Sequence, residues 1–191
     1  MKKIIFILVG VLLVIIGLII YLKVVNRDYV TPKENLTVIS DTFENGEILP
    51  VQYTGYGEDI SPNIELGSID PKGKSIAIIM DDLDAPIGVL NHWVIWNIPA
   101  KYMSIPSGVE RKTIVESLDG AIQGMNGYGG KHYYRGPKPP SGTHRYIFKV
   151  YVLDKMLSID EDSKKRDLQK AIEGHILQYG TIEANVSHSN K

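Results

Sequence analysis

From Ile4 to Leu22 the chain carries no charge and is almost wholly aliphatic. A helix of about 20 such residues spans the apolar core of a bilayer. A cleavable signal core is usually shorter, about 7–15 residues, and ends on small residues. Here the run ends Ile19-Ile20-Tyr21-Leu22-Lys23-Val24-Val25, with no small-residue site. The pattern predicts a retained membrane anchor over residues 1–25. Lys2 and Lys3 favour an inside N-terminus and an extracytoplasmic domain, a bias that Lys23 and Arg27 partly offset. Residues 26–35, with Pro32 among them, read as a polar linker to a single domain over residues 36–188.

Beyond the linker the pattern is mainly β. Short β-branched or aromatic runs at 36–40, 47–53, 75–80, 93–96 and 146–153 are separated by Gly and Pro, with a weaker run at 112–116. Strands do not alternate with helical patterns, so parallel βαβ units are not expected. One helix is predicted within residues 163–178. Leu168, Ala171, Ile172, His175, Ile176 and Tyr179 share its apolar face, and Gly180 stops it. His175 there reads as a packed residue, not a ligand. The Tyr128-Gly129-Gly130 stretch reads as a mobile loop.

Composition narrows the function. The chain is 43% hydrophobic and 23% charged, ordinary for a globular protein. Four of its 21 Lys and Arg residues lie at or before Arg27, whereas all 22 Asp and Glu residues lie beyond it. The domain is therefore mildly acidic, which argues against nucleic acid as a partner. There is no cysteine, hence no disulfide and no thiol nucleophile.

Two stretches carry candidate chemistry. In Asp81-Asp82-Leu83-Asp84-Ala85-Pro86, carboxylates end a buried strand, and His92 opens the next one. In an extended backbone Asp82 and Asp84 point to one side, and His92, Val94 and Trp96 share a face. In the second stretch, Tyr134-Arg135-Gly136-Pro137-Lys138-Pro139-Pro140-Ser141-Gly142-Thr143-His144-Arg145-Tyr146, a stiff proline loop enters a strand with His144 and Tyr146 on one face. Two carboxylates and an imidazole on neighbouring strand ends read as the floor of a small polar pocket.

Several chemistries are open for such a set. Two histidines and a carboxylate suit a transition metal, although no HxH or HxxxH spacing is present. A hydrolase would use His92 or His144 as base and Asp82 to orient it. Its nucleophiles would be Ser141 or Thr143, which lack a Gly-x-Ser-x-Gly elbow. A purely structural role, with the aspartates capping turns, accounts for the same residues.

Taken together, Asp-x-Asp-Ala-Pro, His-Trp-Val-x-x-Asn-Ile-Pro and Tyr-x-Gly-Pro-x-Pro-Pro-x-Gly-x-His-Arg-Tyr resemble the phosphatidylethanolamine-binding protein family. The similarity is greatest to its bacterial and archaeal, Raf kinase inhibitor-like branch, and it covers roughly residues 37–186. The resemblance implies an antiparallel two-sheet Greek-key sandwich with a short C-terminal helix. It implies a small anion pocket for phosphate-like or phosphorylated ligands at Asp82, Asp84, Pro86, His92, Gly136, Pro137, His144 and Tyr146. It also implies a cis Ala85-Pro86 bond and a wall formed by Gly136–Pro140. No cofactor and no catalytic or metal-ligating residue is implied. Family members act on kinases or proteases or in lipid-associated roles, so the expected protein is a membrane-anchored binding protein and a modulator of such partners. A phosphoester or acyl-ester hydrolase is the alternative.

Overall fold

The computed structural model describes residues 2–25, 28, 32–86 and 88–188, apart from the side chains of 2, 3 and 22–25. Half of the expected linker, residues 26, 27 and 29–31, lies outside the described residues. Helix α1 (Lys2–Val25) is uncharged from Ile4 to Leu22, and none of its Ile4–Tyr21 window is buried against the rest of the chain. It is therefore not a core helix.

The domain is mainly β, built of two antiparallel sheets. A small sheet joins β1 (Val38–Ile39), β2 (Ile64–Leu66) and β5 (Ser104–Ile105) in the order β1-β2-β5. The large sheet adds β3 (Ser75–Asp82), β4 (Leu90–Pro99), β6 (Ile114–Val115), β7 (Ala121–Gln123), β8 (Thr143–Leu153) and β9 (Ile176–Ser187). Its order is β6-β7-β4-β3-β8-β9. Helix α2 (Lys165–Ile172) covers the outer face of the large sheet.

All eight residues of β3 are buried, because the large sheet is covered on both faces. Ile76, Ile78 and Met80 pack into the core that includes the small sheet, with Ile64, Trp93, Phe148 and Val150. Ala77 and Ile79 face the other way, onto Val94, Trp96, Tyr151, Leu168 and Ile172. A strand with two apolar faces needs an unbroken apolar run, and Ser75-Ile76-Ala77-Ile78-Ile79-Met80 supplies one. Because side chains alternate along a strand, Asp81 continues the α2 side and Asp82 the inter-sheet side.

Three expectations are corrected. The helix ends at Ile172, because Glu173 leaves the helical region at φ −58° and ψ 127° and Gly174 takes φ +76°. The residues after it form β9, which pairs along almost all of β8. Within β9, Ile182, Ala184 and Val186 are buried at every second position, a strand period. His175 accordingly lies outside the helix, beside Asp154 at 3.0 Å. In the 47–53 run, Ile48 makes a single bridge to Asn185 and Val51–Tyr53 is a 3-10 turn after Pro50. Among the described residues no peptide bond is cis, Ala85-Pro86 included. The chain reverses instead through Gly88, at φ +105°, whose N–H donates to the Ala85 carbonyl at 3.0 Å.

The two ends of the domain meet at Gly180. A Cβ there would stand 2.1 Å from the Leu36 carbonyl oxygen and 2.8 Å from Val38 Cγ2. Gly180→Ala is expected to destabilise the fold by about 1–3 kcal/mol, the usual cost of forcing atoms into a packed site. Urea unfolding checks this, and an unchanged midpoint would contradict the close approach.

Candidate functional site

Strands β3, β4 and β8 bring Asp82, His92, His144 and Tyr146 together at one end of the large sheet. Asp82 lies opposite Tyr146 in the β3–β8 register, and His144 is two residues along on the same face of β8. His144 Nδ1 lies 2.8 Å from Asp82 Oδ2, and the other Asp82 oxygen accepts the Asp84 backbone N–H at 2.9 Å. Burial and then the Asp82 carboxylate, to which its hydroxyl is hydrogen-bonded, push the Tyr146 phenol well above its ordinary range. Asp82 is thus the hub of the cluster, holding a turn, an imidazole and a phenol.

His92 arrives by a bulge. The β3–β4 register slips between Met80↔Trp93 and Asp81↔Asn91, leaving His92 as the extra residue. A bulge re-aims the side chain it carries. His92 therefore leaves the face of Val94 and Trp96, contrary to simple alternation. Its ring meets the Tyr146 ring edge-on at 5.3 Å, while the His144 ring stacks over Tyr146 at 6.4 Å. Two imidazoles thus flank one tyrosine. His92 Nδ1 sits 2.7 Å from the Arg135 carbonyl. A carbonyl only accepts, so this nitrogen carries the proton. By the same reasoning His144 Nδ1 donates to Asp82. Burial holds His92 below the ordinary imidazole range, despite the raising effects of the Arg135 carbonyl, Asp82 and Asp81.

Asp84 does not join this cluster. Its carboxylate accepts the Arg145 backbone N–H, Nε and Nη2, each at 2.9 Å. The hydrogen bonds from Arg145 hold it below the usual carboxylate range. Pro86 is exposed in the adjoining turn. Ser141 and Thr143 are also exposed.

Gly136 and Pro137 are buried in the loop beside the cluster. The Gly55 N–H donates to the Pro137 carbonyl at 2.8 Å, and a Cβ on Gly136 would fall 2.6 Å from Thr54 C. Only glycine allows the two backbones so close. The loop is pinned by Asp59, which accepts Gly136 N–H and Arg135 Nη1 and also pairs with Arg111. Asp59 itself sits at φ +60°. Tyr134 adds a hydrogen bond to the Tyr53 carbonyl at 2.6 Å. Half-exposed Tyr128 lies over His92, at 5.4 Å between rings, with the Arg135 guanidinium 5.5 Å from its own ring centre. Surface clefts lie on both sides of Tyr128, and Lys138 lines one of them with Tyr56 and His188.

Local pattern assigns no site role to Asp59, Tyr128, Tyr134 or Arg135, although Tyr134 and Arg135 open the proline-loop stretch. Asp59 is separated from Arg135 by 76 positions, so no local spacing marks the pair.

Both the fold and the motifs have counterparts among known proteins. The family described as phosphatidylethanolamine-binding protein matches residues 39–187, and the chain belongs to that family. A UPF0098 protein of Pyrococcus abyssi is 42% identical over 151 residues, covering 78% of this chain and 84% of that protein. Two solved structures are similar at 28% identity. One is a phosphatidylethanolamine-binding protein homologue from Chlamydia trachomatis, with a TM-score of 0.72 over 81% of this chain and 99% of the other. The second is YbcL of E. coli, described as a member of the mammalian family, with a TM-score of 0.71 over 80% and 98%.

Asp59→Ala should loosen the 134–140 loop. The loss of charge-assisted hydrogen bonds from a partly screened carboxylate is expected to cost about 2 kcal/mol. Thermal unfolding measures the cost, and faster amide exchange confined to Arg135 and Gly136 locates it.

Proposed function

We propose that this chain is a binding protein for small anions, phosphate-like groups or phosphorylated headgroups, without turnover. Its arrangement would be a membrane anchor at 1–25, a linker at 26–35 and a binding domain at 36–188, outside the cytoplasm. The observation that carries the reading is the pair of imidazoles flanking Tyr146, one of them oriented by Asp82. His92, His144 and Tyr146 would supply the contacts to the anion. Asp82 would orient His144, and Gly136 and Pro137 would form the wall. Asp84 and Pro86 would shape the turn instead of touching the ligand. The anion would enter past Tyr128.

Both Nδ1 hydrogens are already committed to protein acceptors. Each imidazole therefore donates to an anion through Nε2 only after taking up a second proton. Binding is then coupled to protonation. The anion favours the charged imidazole, so it raises the pKa of His92 from its depressed free value. Affinity should be greatest on the acid side of the ordinary imidazole range, about 6.5, and fall as pH rises through it. Calorimetry with inorganic phosphate in buffers of different ionisation enthalpy should show net proton uptake near pH 7. His144→Ala should weaken phosphate binding by about 1.5–3 kcal/mol, the scale of a hydrogen bond to a charged group. Unchanged affinity in both His144→Ala and His92→Ala would end the anion-pocket reading. Turnover of a generic phosphoester that His144→Ala abolishes would replace it with a hydrolase.

The anchor rests on the exposed apolar helix α1. N-terminal sequencing of membrane-extracted protein should begin at or next to Met1. A start at Asn26 or beyond would mean a cleaved signal.

A further inference from the structure

On the sheet face opposite the His92 cluster lies a second group of charges that the proposed binding does not use. Lys149 of β8 and Lys165 of α2 each stand 2.7 Å from the same oxygen of Asp81. Asp28, beyond the end of α1, enters between them. Its Oδ2 lies 2.5 Å from Lys149 Nζ, and its Oδ1 lies 2.9 Å from both Lys165 Nζ and Gln169 Nε2. The side chains of Asp81, Lys149 and Lys165 are 0%, 4% and 11% exposed, and that of Asp28 is 19% exposed. Gln169 is also buried.

From this geometry we infer that Lys149, Lys165 and Gln169 form a carboxylate socket on the outer face of the domain, and that Asp28 fills it as an ionic clamp between domain and anchor. Asp28 sets a second carboxylate against these two largely buried lysines, the kind of pairing that buried charges require. The attraction of Lys165 and Lys149 holds the Asp28 carboxyl below its usual range although burial opposes it, and Asp81 and Asp28 likewise hold Lys149 above its own range against burial.

The clamp has a geometric result, which rests on the anchored reading given above. Asp28 is three residues past Val25, the last residue of α1. Three extended residues reach at most about 11 Å. With the clamp closed, the α2 face of the domain stays within that reach of the end of the anchor, and its stance toward the bilayer is restricted.

The full chain in phosphatidylcholine nanodiscs provides the test. Amine acetylation read by peptide mass spectrometry should modify Lys165 slowly in the wild type and in Asp28→Glu. In Asp28→Asn it should be about tenfold faster, because labelling follows the population of the opened form. Exposed Lys170 on the same helix should keep its rate, which separates local release from unfolding. An unchanged Lys165 rate in Asp28→Asn, or a rate in Asp28→Glu as fast as in Asp28→Asn, would overturn the clamp. The chain lacks cysteine, so spin labels at Tyr21→Cys and Lys170→Cys report stance directly. A narrow distance distribution that broadens in Asp28→Asn is expected. Faster labelling of Lys165 without broadening would overturn the restricted stance. Loss of the Tyr21 label with a removed N-terminal segment would refute the anchored reading, and the acetylation rates would still decide the clamp.

Discussion

Two adjacent carboxylates at the buried end of β3 set the terms for everything around them. Asp81 and Asp82 are almost without solvent, and they project from opposite faces of one strand. An ionised carboxylate in such a place is tolerable only with partners on its own side. On the inter-sheet side Asp82 gathers a turn amide, His144 and Tyr146. On the α2 side Asp81 gathers Asn91, Lys149 and Lys165. The sheet thereby carries polar groups of contrasting kind, back to back, with one peptide unit between their origins.

The inner cluster also depends on an irregularity. With a regular ladder His92 would fall on the α2 side with Val94 and Trp96, and Tyr146 would lack one of its two flanking imidazoles. The extra residue opposite Met80 and Asp81 moves His92 across. The Asp59-pinned loop then fixes it through the Arg135 carbonyl, and the Arg135 N–H returns a bond to the His92 carbonyl at 3.2 Å. The proline loop thus serves as a brace for His92.

Much of this was visible in the sequence where a periodic signal was strong. The unbroken apolar run of β3 and the His144–Tyr146 alternation on β8 placed both strands and their facing correctly. Reading failed where a long-range contact overrode a local pattern. Residues 168–179 satisfy a helical spacing, yet pairing with β8 and the left-handed Gly174 make the second half a strand. Alternation put Asp84 beside Asp82, whereas the strand ends at Asp82 and Arg145 takes Asp84. The bulge at His92 and the reach of Asp59 leave no mark in local spacing. The short strands β2, β5 and β7 hold two or three residues each, too few for a period to show.

The pairing of residues 35–49 with the last strand bears on how the protein is made. Asn35 and Leu36 both donate to the Tyr179 carbonyl, Leu49 donates to the Asn185 carbonyl, and the Asn185 N–H donates to the Glu47 carbonyl. Residues separated by more than 130 positions must therefore meet before either edge is closed, the kind of distant contact that slows folding. A ribosome-bound chain that lacks β9 presents β8 with one open edge, and Asn35, Leu36 and Leu49 lack the carbonyls that accept their N–H groups. Among the described elements β9 is synthesised last. Closure of the domain consequently waits until the whole of β9 has left the ribosome.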